Sequence, residues 1–557
     1  MKLNILIYFI VVFVSVGMWA QPDKESIYKA AKQTYLNEDS QSITYHGFKA
    51  LADNPAFNHY TKEFVDEVGT WSEFIGNGTV SVGHRFNQVP KGDYQFDWGD
   101  RQRFSEVEAK GFFTQASKGT LFGTMAYGQE NRENSTLNYA INPEIYYPYL
   151  VSDTLGNGDK RYEHYQIQGG YSFAKDDTYL GIGISYKGVA SSRITEPRLS
   201  IYDSWFKVDV GLLQRTKQGL ISLQVYPEFN RQMISSSNVL NKAPAVLQFI
   251  GLGQWKNTPI KVGQSYERSM TVVGAGGSLG YKQIRQPDQR WSYQANIHYN
   301  YRHMNTFDNS QLGFESNTKL NLFTRNTHVL SPMFVLDYHG SHATWAWMYQ
   351  GNNSFSKGSE HIYESKKVSS SQNLYDYVKV ATNAFYTQRD WQNALTIERE
   401  QFFDQTHKFT TWIKLKHRLY QEKYIYHQQR VASESLAASI GIGYTKMFTK
   451  SSLNIKWSYT NQKTLSSTYQ VYKPLEKVAI RQSYIPFVLR TEPISAVEWR
   501  VSYQHAMTKQ QTLGVALSGK YAWANEDYHG PYTIDLSNYD VAVNNRIALG
   551  VKVFYLF

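Results

Sequence analysis

The chain has 557 residues, with 58 Lys and Arg against 47 Asp and Glu, a formal net charge of +11 and no cysteine. The missing thiol excludes disulfides and a cysteine-acylated lipoprotein anchor. A mean hydropathy of −0.50 excludes a bundle of membrane helices, because each span needs about 20 mostly apolar residues.

Yet 43 Tyr, 29 Phe and 13 Trp are more aromatic side chain than a soluble domain ordinarily carries. A transmembrane β-barrel accounts for both properties: half of every strand faces water, and both rims carry aromatic girdles. The positive balance contains no long basic run. It points to anionic lipid head groups, lipopolysaccharide phosphate or an acidic ligand, and not to nucleic acid.

Lys2, the apolar run from Leu3 to Val16 and the small residue Ala20 read as a cleaved signal peptide over 1–20, too short to span a membrane. Residues 21–60 form a distinct N-terminal extension. Glu25 to Glu38 has helical spacing at Ile27, Ala30, Ala31 and Tyr35, and Asp53-Asn54-Pro55-Ala56 follows.

Residues 61–557 are assigned to one barrel, with alternation starting near Thr79. Tyr165, Ile167, Gly169, Tyr171 and Phe173 interleave with polar residues. So do Trp291, Tyr293, Ala295, Ile297, Tyr299 and Tyr301, and Val497, Trp499, Val501 and Tyr503. Period two over about ten residues is the length of a membrane strand. Trp291, Tyr301, Tyr521 and Trp523 are placed in girdles.

The connections fall into two sizes. Short turns are expected at Ala116–Gly119, Lys175–Asp177, Arg215–Gly219, Gln286–Gln289, Arg389-Asp390, Thr449–Ser451 and Thr508–Gln510. Long loops are expected at Glu130–Arg161, Val189–Asp203, Pro227–Gln264, Asn352–Gln372, Gln462–Tyr484 and Asn525–Tyr539. Short turns on one rim and long loops on the other fit periplasmic and external sides. The strand count is roughly 14–18, an even number preferred; parity is unreadable between about Asn326 and Ser435.

The final strand places Ile547, Leu549, Val551, Val553, Tyr555 and Phe557 on one face, with Arg546, Ala548, Gly550 and Lys552 on the other. Gly550, Val553, Tyr555 and Phe557 resemble the signal that bacterial barrels present to their assembly machinery. The predicted fold class is therefore all-β: a transmembrane antiparallel outer-membrane barrel.

Little in the chain reads as chemistry. His339-Gly340-Ser341-His342 lacks an orienting partner and an oxyanion site, and reads as a turn or as lumenal polar positions. No histidine spacing suits a metal. The glycines between Gly274 and Gly280 sit among strands, where they relieve crowding. Glu398-Arg399-Glu400 and Trp412–Lys416 read as lumenal charge ladders. No catalytic residue, cofactor or metal is assigned.

Two stretches resemble known families. Asn54-Pro55-Ala56 is similar to the hatch element of long-chain fatty-acid transporter barrels, which implies a segment folded into the lumen. Asn142-Pro143-Glu144-Ile145-Tyr146, Tyr165–Ser172 and Glu196-Pro197-Arg198 resemble a family of uncharacterised Bacteroidetes outer-membrane barrels. There, a His and an Asp stand where this chain has Gln166 and Glu196. That resemblance implies a barrel often found alongside nutrient-uptake proteins, and no known substrate. The expected function is passive or accessory uptake of a small ligand across the outer membrane. The alternative is a scaffold docking a surface lipoprotein or TonB-dependent transporter; a barrel enzyme acting on lipid or polysaccharide ranks last.

Overall fold

The computed structural model describes residues 54–57, 78–91, 98–115, 119–135, 139–153, 158–193, 198–237, 245–251, 254–259, 265–284, 289–308, 320–340, 343–367, 375–404, 406–425, 429–470, 483–508, 511–524 and 545–556. The expected signal peptide, the helix-prone part of the extension, Glu196, Pro197 and Phe557 lie outside the described residues.

Strands β1 (Gly78–Lys91), β2 (Arg101–Gln115) and β3 (Gly119–Ser135) open the wall. A four-residue helix, α1 (Pro143–Tyr146), and a short strand, β4 (Val151–Asp153), follow. The wall resumes with β5 (Gly158–Lys175), β6 (Thr178–Arg193), β7 (Arg198–Arg215) and β8 (Gly219–Ser237). A side hairpin, β9 (Ala245–Gly251) and β10 (Gln254–Pro259), precedes β11 (Ser265–Gln283). Next come β12 (Trp291–Asp308), β13 (Leu320–His339), β14 (Ala343–Lys367), β15 (Tyr375–Phe402), β16 (His407–Tyr424), β17 (Gln429–Met447) and β18 (Ser451–Gln470). Helix α2 (Ile485–Thr491) leads to β19 (Ile494–Ala506), β20 (Thr512–Ala524) and β21 (Asn545–Leu556).

Eighteen strands form one antiparallel sheet that closes where β21 pairs with β1. Closure leaves no edge, so every ladder group has a partner inside a bilayer. The count sits at the top of the expected range. β4, β9 and β10 form a separate three-stranded sheet.

Alternation decides which face each residue occupies. On β8, Ile221, Leu223, Val225 and Phe229 project outward, each more than two-fifths exposed. Ser222, Gln224, Glu228, Asn230 and Gln232 project inward and are buried. On β21, Leu549, Val551 and Val553 point out while Lys552, Gly550 and Ala548 take the lumenal face, as the sequence pattern requires. Trp291 and Tyr521 are exposed on the outer face; Trp291 meets Tyr338 and Trp347, and Tyr521 stacks on Trp523. This is the apolar belt and aromatic rim of an outer-membrane barrel. No helix among the described residues is long and apolar enough to cross a membrane.

The two rims differ as expected. The connections β2–β3, β5–β6, β7–β8, β11–β12, β13–β14, β15–β16, β17–β18 and β19–β20 share the rim that holds the start of β1 and the end of β21. His339 ends β13 at that rim and Gly340 follows it; Ser341 and His342 lie outside the described residues.

Several expected boundaries are corrected. Arg389-Asp390 is not a turn: both lie inside β15, where Asp390 faces the lumen and pairs with Arg418 at 2.8 Å. Asn352–Gln372 is mostly β14, and the loop there is only 368–374. Val189–Asp203 is mostly strand, leaving 194–197 between β6 and β7. Pro227 lies within β8, ten residues before its end.

At Pro227 and Asn352 the physical cause is proline inside a ladder. Opposite Pro227 the β7–β8 pairing skips from Lys207↔Glu228 to Val210↔Val225. Opposite Pro332 the β13–β14 pairing skips from Leu330↔Asn353 to Met333↔Gln350. A proline cannot donate to a ladder, so one side lets go locally and the strand continues. The Asn-Asn-Ser run at 352–354 sits beside that gap.

Candidate functional site

The lumen is the candidate site, and it is unequal around its circumference. The segment from Tyr139 to Asp153, with α1 and β4, folds inward from the long-loop side. Tyr139, Ile141, Tyr146, Tyr149, Leu150 and Val151 are all buried. They form one apolar cluster with wall residues that include Tyr162 of β5, Ile201 of β7, Met270 of β11, Phe323 of β13, Tyr386 of β15 and Tyr469 of β18. Ile485, Phe487 and Val488 of α2 join the same cluster. The two inward loops plug the outer end of the lumen from β5 round to β18.

Polar groups lock the plug to the wall. The Tyr146 hydroxyl donates to Asp203 Oδ1 at 2.9 Å and also meets Asn230 Oδ1. Asn230 Nδ2 donates to the same Asp203 oxygen at 2.8 Å, and Asn142 Nδ2 reaches Asp203 Oδ2 at 3.2 Å. Arg325 donates to the carbonyls of Glu144 and Tyr147 at 3.1 and 2.8 Å. It takes the role of a C-cap for a helix too short to satisfy its own carbonyls. Arg268 donates to Tyr149 O at 3.3 Å and pairs with Asp308 at 3.0 Å; both side chains are 1% exposed. A charge pair that dry needs further partners: Asp308 Oδ2 also accepts from the Tyr266 hydroxyl at 2.7 Å and from Gln248 Nε2 at 2.9 Å.

Above the apolar belt two carboxylates carry opposite shifts. Burial pushes Glu422 up, even though Tyr424 and Tyr420 donate to it. Burial also works against ionisation of Glu130, but hydrogen bonding from His164 and the charge of Arg132 outweigh it and hold the group at about 2.

At the short-turn end, Asn54, Pro55, Ala56 and Phe57 lie against the inner wall. Asn54 Nδ2 donates to Ser222 Oγ at 2.8 Å, Leu223 O at 3.0 Å and Leu212 O at 3.2 Å; its Oδ1 accepts from Ala56 N at 3.0 Å. Glycines make the groove. A Cβ on Gly211 would come within 1.8 Å of Asn54 Oδ1, and one on Gly181 within 2.3 Å of Ala56 N. Phe57 packs with Tyr179, Leu213 and Leu220.

The wall from β19 to β3 lies outside the cluster, and two cavities lie along it and reach the margins of the plugged arc. One, of about 390 Å³, is lined by Arg85, Glu106, Gln166 and Lys187 on β1, β2, β5 and β6. The other, of about 270 Å³, is lined by Trp412, Lys456, Glu498, Arg500, Ser518 and Lys520 on β16 and β18–β20. Arg85 lines both. The sequence flagged Glu398, Glu400, Lys414 and Lys416 as ladder residues. Glu398 and Glu400 sit on the lumenal side of β15, with Glu400 paired to Lys408 at 3.0 Å. Arg399 instead lies over Trp345. Among the described residues no His, Asp and Glu cluster could hold a metal ion.

Other expected positions scatter. Gly550, Val553 and Tyr555 lie in the closing strand, and Arg198 begins β7. Asn142–Tyr146 belongs to the plug. Arg85, Arg268 and Arg325 gave no sequence signal, because each is one inward residue in an ordinary alternating strand.

Residues 76–555 match the model of a family described as being of unknown function, DUF6850. The chain belongs to that family. No curated protein matches it. Solved structures similar in fold include the RagAB peptide transporter (6% identity, 86% of each chain, TM-score 0.40). The outer membrane transporter YddB from Escherichia coli shows 9% identity over 86% of this chain and 80% of that one, with a TM-score of 0.39. For the copper transporter OprC the values are 8%, 87%, 82% and 0.37.

Proposed function

We propose that this DUF6850 member is an exported outer-membrane barrel that passes a small polar solute along the unplugged side of its lumen. The carrying observation is the pair of cavities that share Arg85. A hydrated channel needs polar walls and room, and on the plugged side the inward loops take up the room. In this reading residues 1–20 are removed on export, and Phe557 with the Gly550, Val553 and Tyr555 pattern guides assembly. The chain leading to Asn54-Pro55-Ala56 acts as a hatch at the periplasmic mouth.

Purified full-length barrel in planar bilayers tests the proposal. Discrete conductance steps are expected, and they should grow when residues 21–52 are removed. A heat-modifiable, folded barrel that never conducts would sink the conduit.

The docking alternative has one specific support. β14 and β15 run for 25 and 28 residues, against about ten needed to cross the bilayer. Their outer ends carry exposed Ile362, Val378 and Val380. A surface partner held there would copurify from native membranes and be lost when 359–385 is shortened.

A further inference from the structure

The open side of the lumen has a charge arrangement that goes further than passage alone. Strand register sets inward residues in rows. In one row Arg85 of β1 faces Gly550 of β21, which faces Ser518 of β20. Ser518 faces Arg500 of β19, Arg500 faces Lys456 of β18, and Lys456 faces Gly443 of β17. Three cations thus share one row, with Gly550 and Ser518 between Arg85 and Arg500 and Gly443 beyond Lys456; on its other side Arg85 faces Phe104 of β2. The small residues leave space beside the cations for water and solute.

The adjacent row, one step nearer the long loops, carries no excess of cations and ends on Glu398 opposite Trp412. There Lys520 and Glu498 are directly opposite and ion-paired, next to Ser458, Gly441 and Trp412. Glu398 and Glu400 act on Lys456 electrostatically, and Glu400 already pairs with Lys408. Arg85 has the Phe104 ring at 5.8 Å and no ion pair among the described residues. In the second cavity Lys187 is likewise exposed without an ion pair among the described residues. Glu130 there is taken by Arg132 and His164 at 2.6 and 3.0 Å. Glu106 is the carboxylate left to face Arg85 and Lys187.

We infer that the row Arg85, Arg500 and Lys456 selects small anions bearing carboxylate or phosphate groups. The inference rests on the conduit reading. The physics is field focusing. Like charges set in a narrow water-filled space with low-dielectric walls raise the local concentration of counter-ions, and rings of Arg and Lys make pores anion-selective. Arg supplies a bidentate fork for carboxylate or phosphate, and Lys a mobile point charge.

The test is the reversal potential of full-length barrel in a planar bilayer under a potassium chloride gradient, with inorganic phosphate or a short dicarboxylate then added to one side. Chloride should permeate several-fold better than potassium, and either added anion should slow the chloride current. Arg85→Glu with Lys456→Glu should reverse the preference. Arg85→Gln with Lys456→Gln, a milder pair that guards against misfolding, should reduce it. Lys217→Glu, on a short turn outside the lumen, should leave it unchanged. Conduction without anion preference, or no block by either anion, overturns this inference and leaves the conduit standing. Folded barrel without any conductance overturns both.

Discussion

On the plugged side, Asp203, Asn230, Gln232, Arg268 and Asp308 are all 3% exposed or less, and their partners come from the plug, from one another and from neighbours such as Tyr266 and Gln248. On the open side Arg85, Lys187 and Ser518 are exposed to the lumen. Both sides are built from the same alternating strands, and the lumenal face is polar in each. What differs is water. Where a loop displaces water, each polar group must find a protein partner, because an unmet buried donor or acceptor costs about 1–3 kcal/mol. Where water stays, charges can stand unpaired at little cost. Pairing therefore marks structure here, and unpaired lumenal charge marks where a solute can be met.

The largest expected effect comes from erasing the difference. Replacing residues 139–153 by a short Gly-Ser linker should raise single-channel conductance several-fold and leave the barrel heat-modifiable. Unchanged conductance would mean that the plug does not limit passage. Arg325→Ala should loosen the plug without removing it. The carbonyls of Glu144 and Tyr147 lose their donor, which costs about 3 kcal/mol of local stability. Protease should then cut within 139–153 at the long-loop side while the unfolding midpoint of the barrel stays put.

A smaller effect is expected at Glu130. Its folded value of about 2 lies below the ordinary 4.5, so its stabilisation is complete above pH 4.5 and is lost as the pH falls toward 2. Glu130→Gln should cost roughly 2 kcal/mol at pH 7, and the gap from wild type should close by pH 2. A constant gap in denaturant titrations across that range would refute the ion pair. The smallest effect on passage is expected from tying down the N-terminal element. A Cβ built on Gly183 lies 3.7 Å from Pro55 Cβ, within the usual disulfide range of about 3.5–4.5 Å. In this cysteine-free chain, Pro55→Cys with Gly183→Cys should crosslink on oxidation and leave conductance at its reduced value. Failure to crosslink would place residues 54–57 elsewhere.

The barrel was legible because alternation is a local property. Tyr165 to Phe173 and Ile547 to Tyr555 each show their outward face without knowledge of neighbours, and the turn sizes separate the rims. Boundaries failed where local cues conflict with the ladder. Pro227 and Asn352 read as loop starts and Arg389-Asp390 as a turn, yet eighteen-strand closure carries the sheet past them. The plug was partly visible as Asn142–Tyr146, but only as a resemblance. Its role depends on Tyr146 meeting Asp203 and Asn230, which lie 57 and 84 residues away along the chain. The row Arg85, Arg500 and Lys456 depends on register across β18 to β1, which no single strand reveals.

The most direct test of the unequal lumen uses the absence of native cysteine. Ser518→Cys places a thiol on the exposed lumenal face of β20. Ser236→Cys places one on β8, where Ser236 is fully buried opposite Tyr266 and Leu199. Each variant is treated in a conducting bilayer with a membrane-impermeant, negatively charged thiol reagent. The prediction is rapid modification and a stepwise loss of current at position 518, with no reaction at position 236. Equal reactivity at both positions, or reaction only at 236, would contradict a conduit running along the β18 to β6 side.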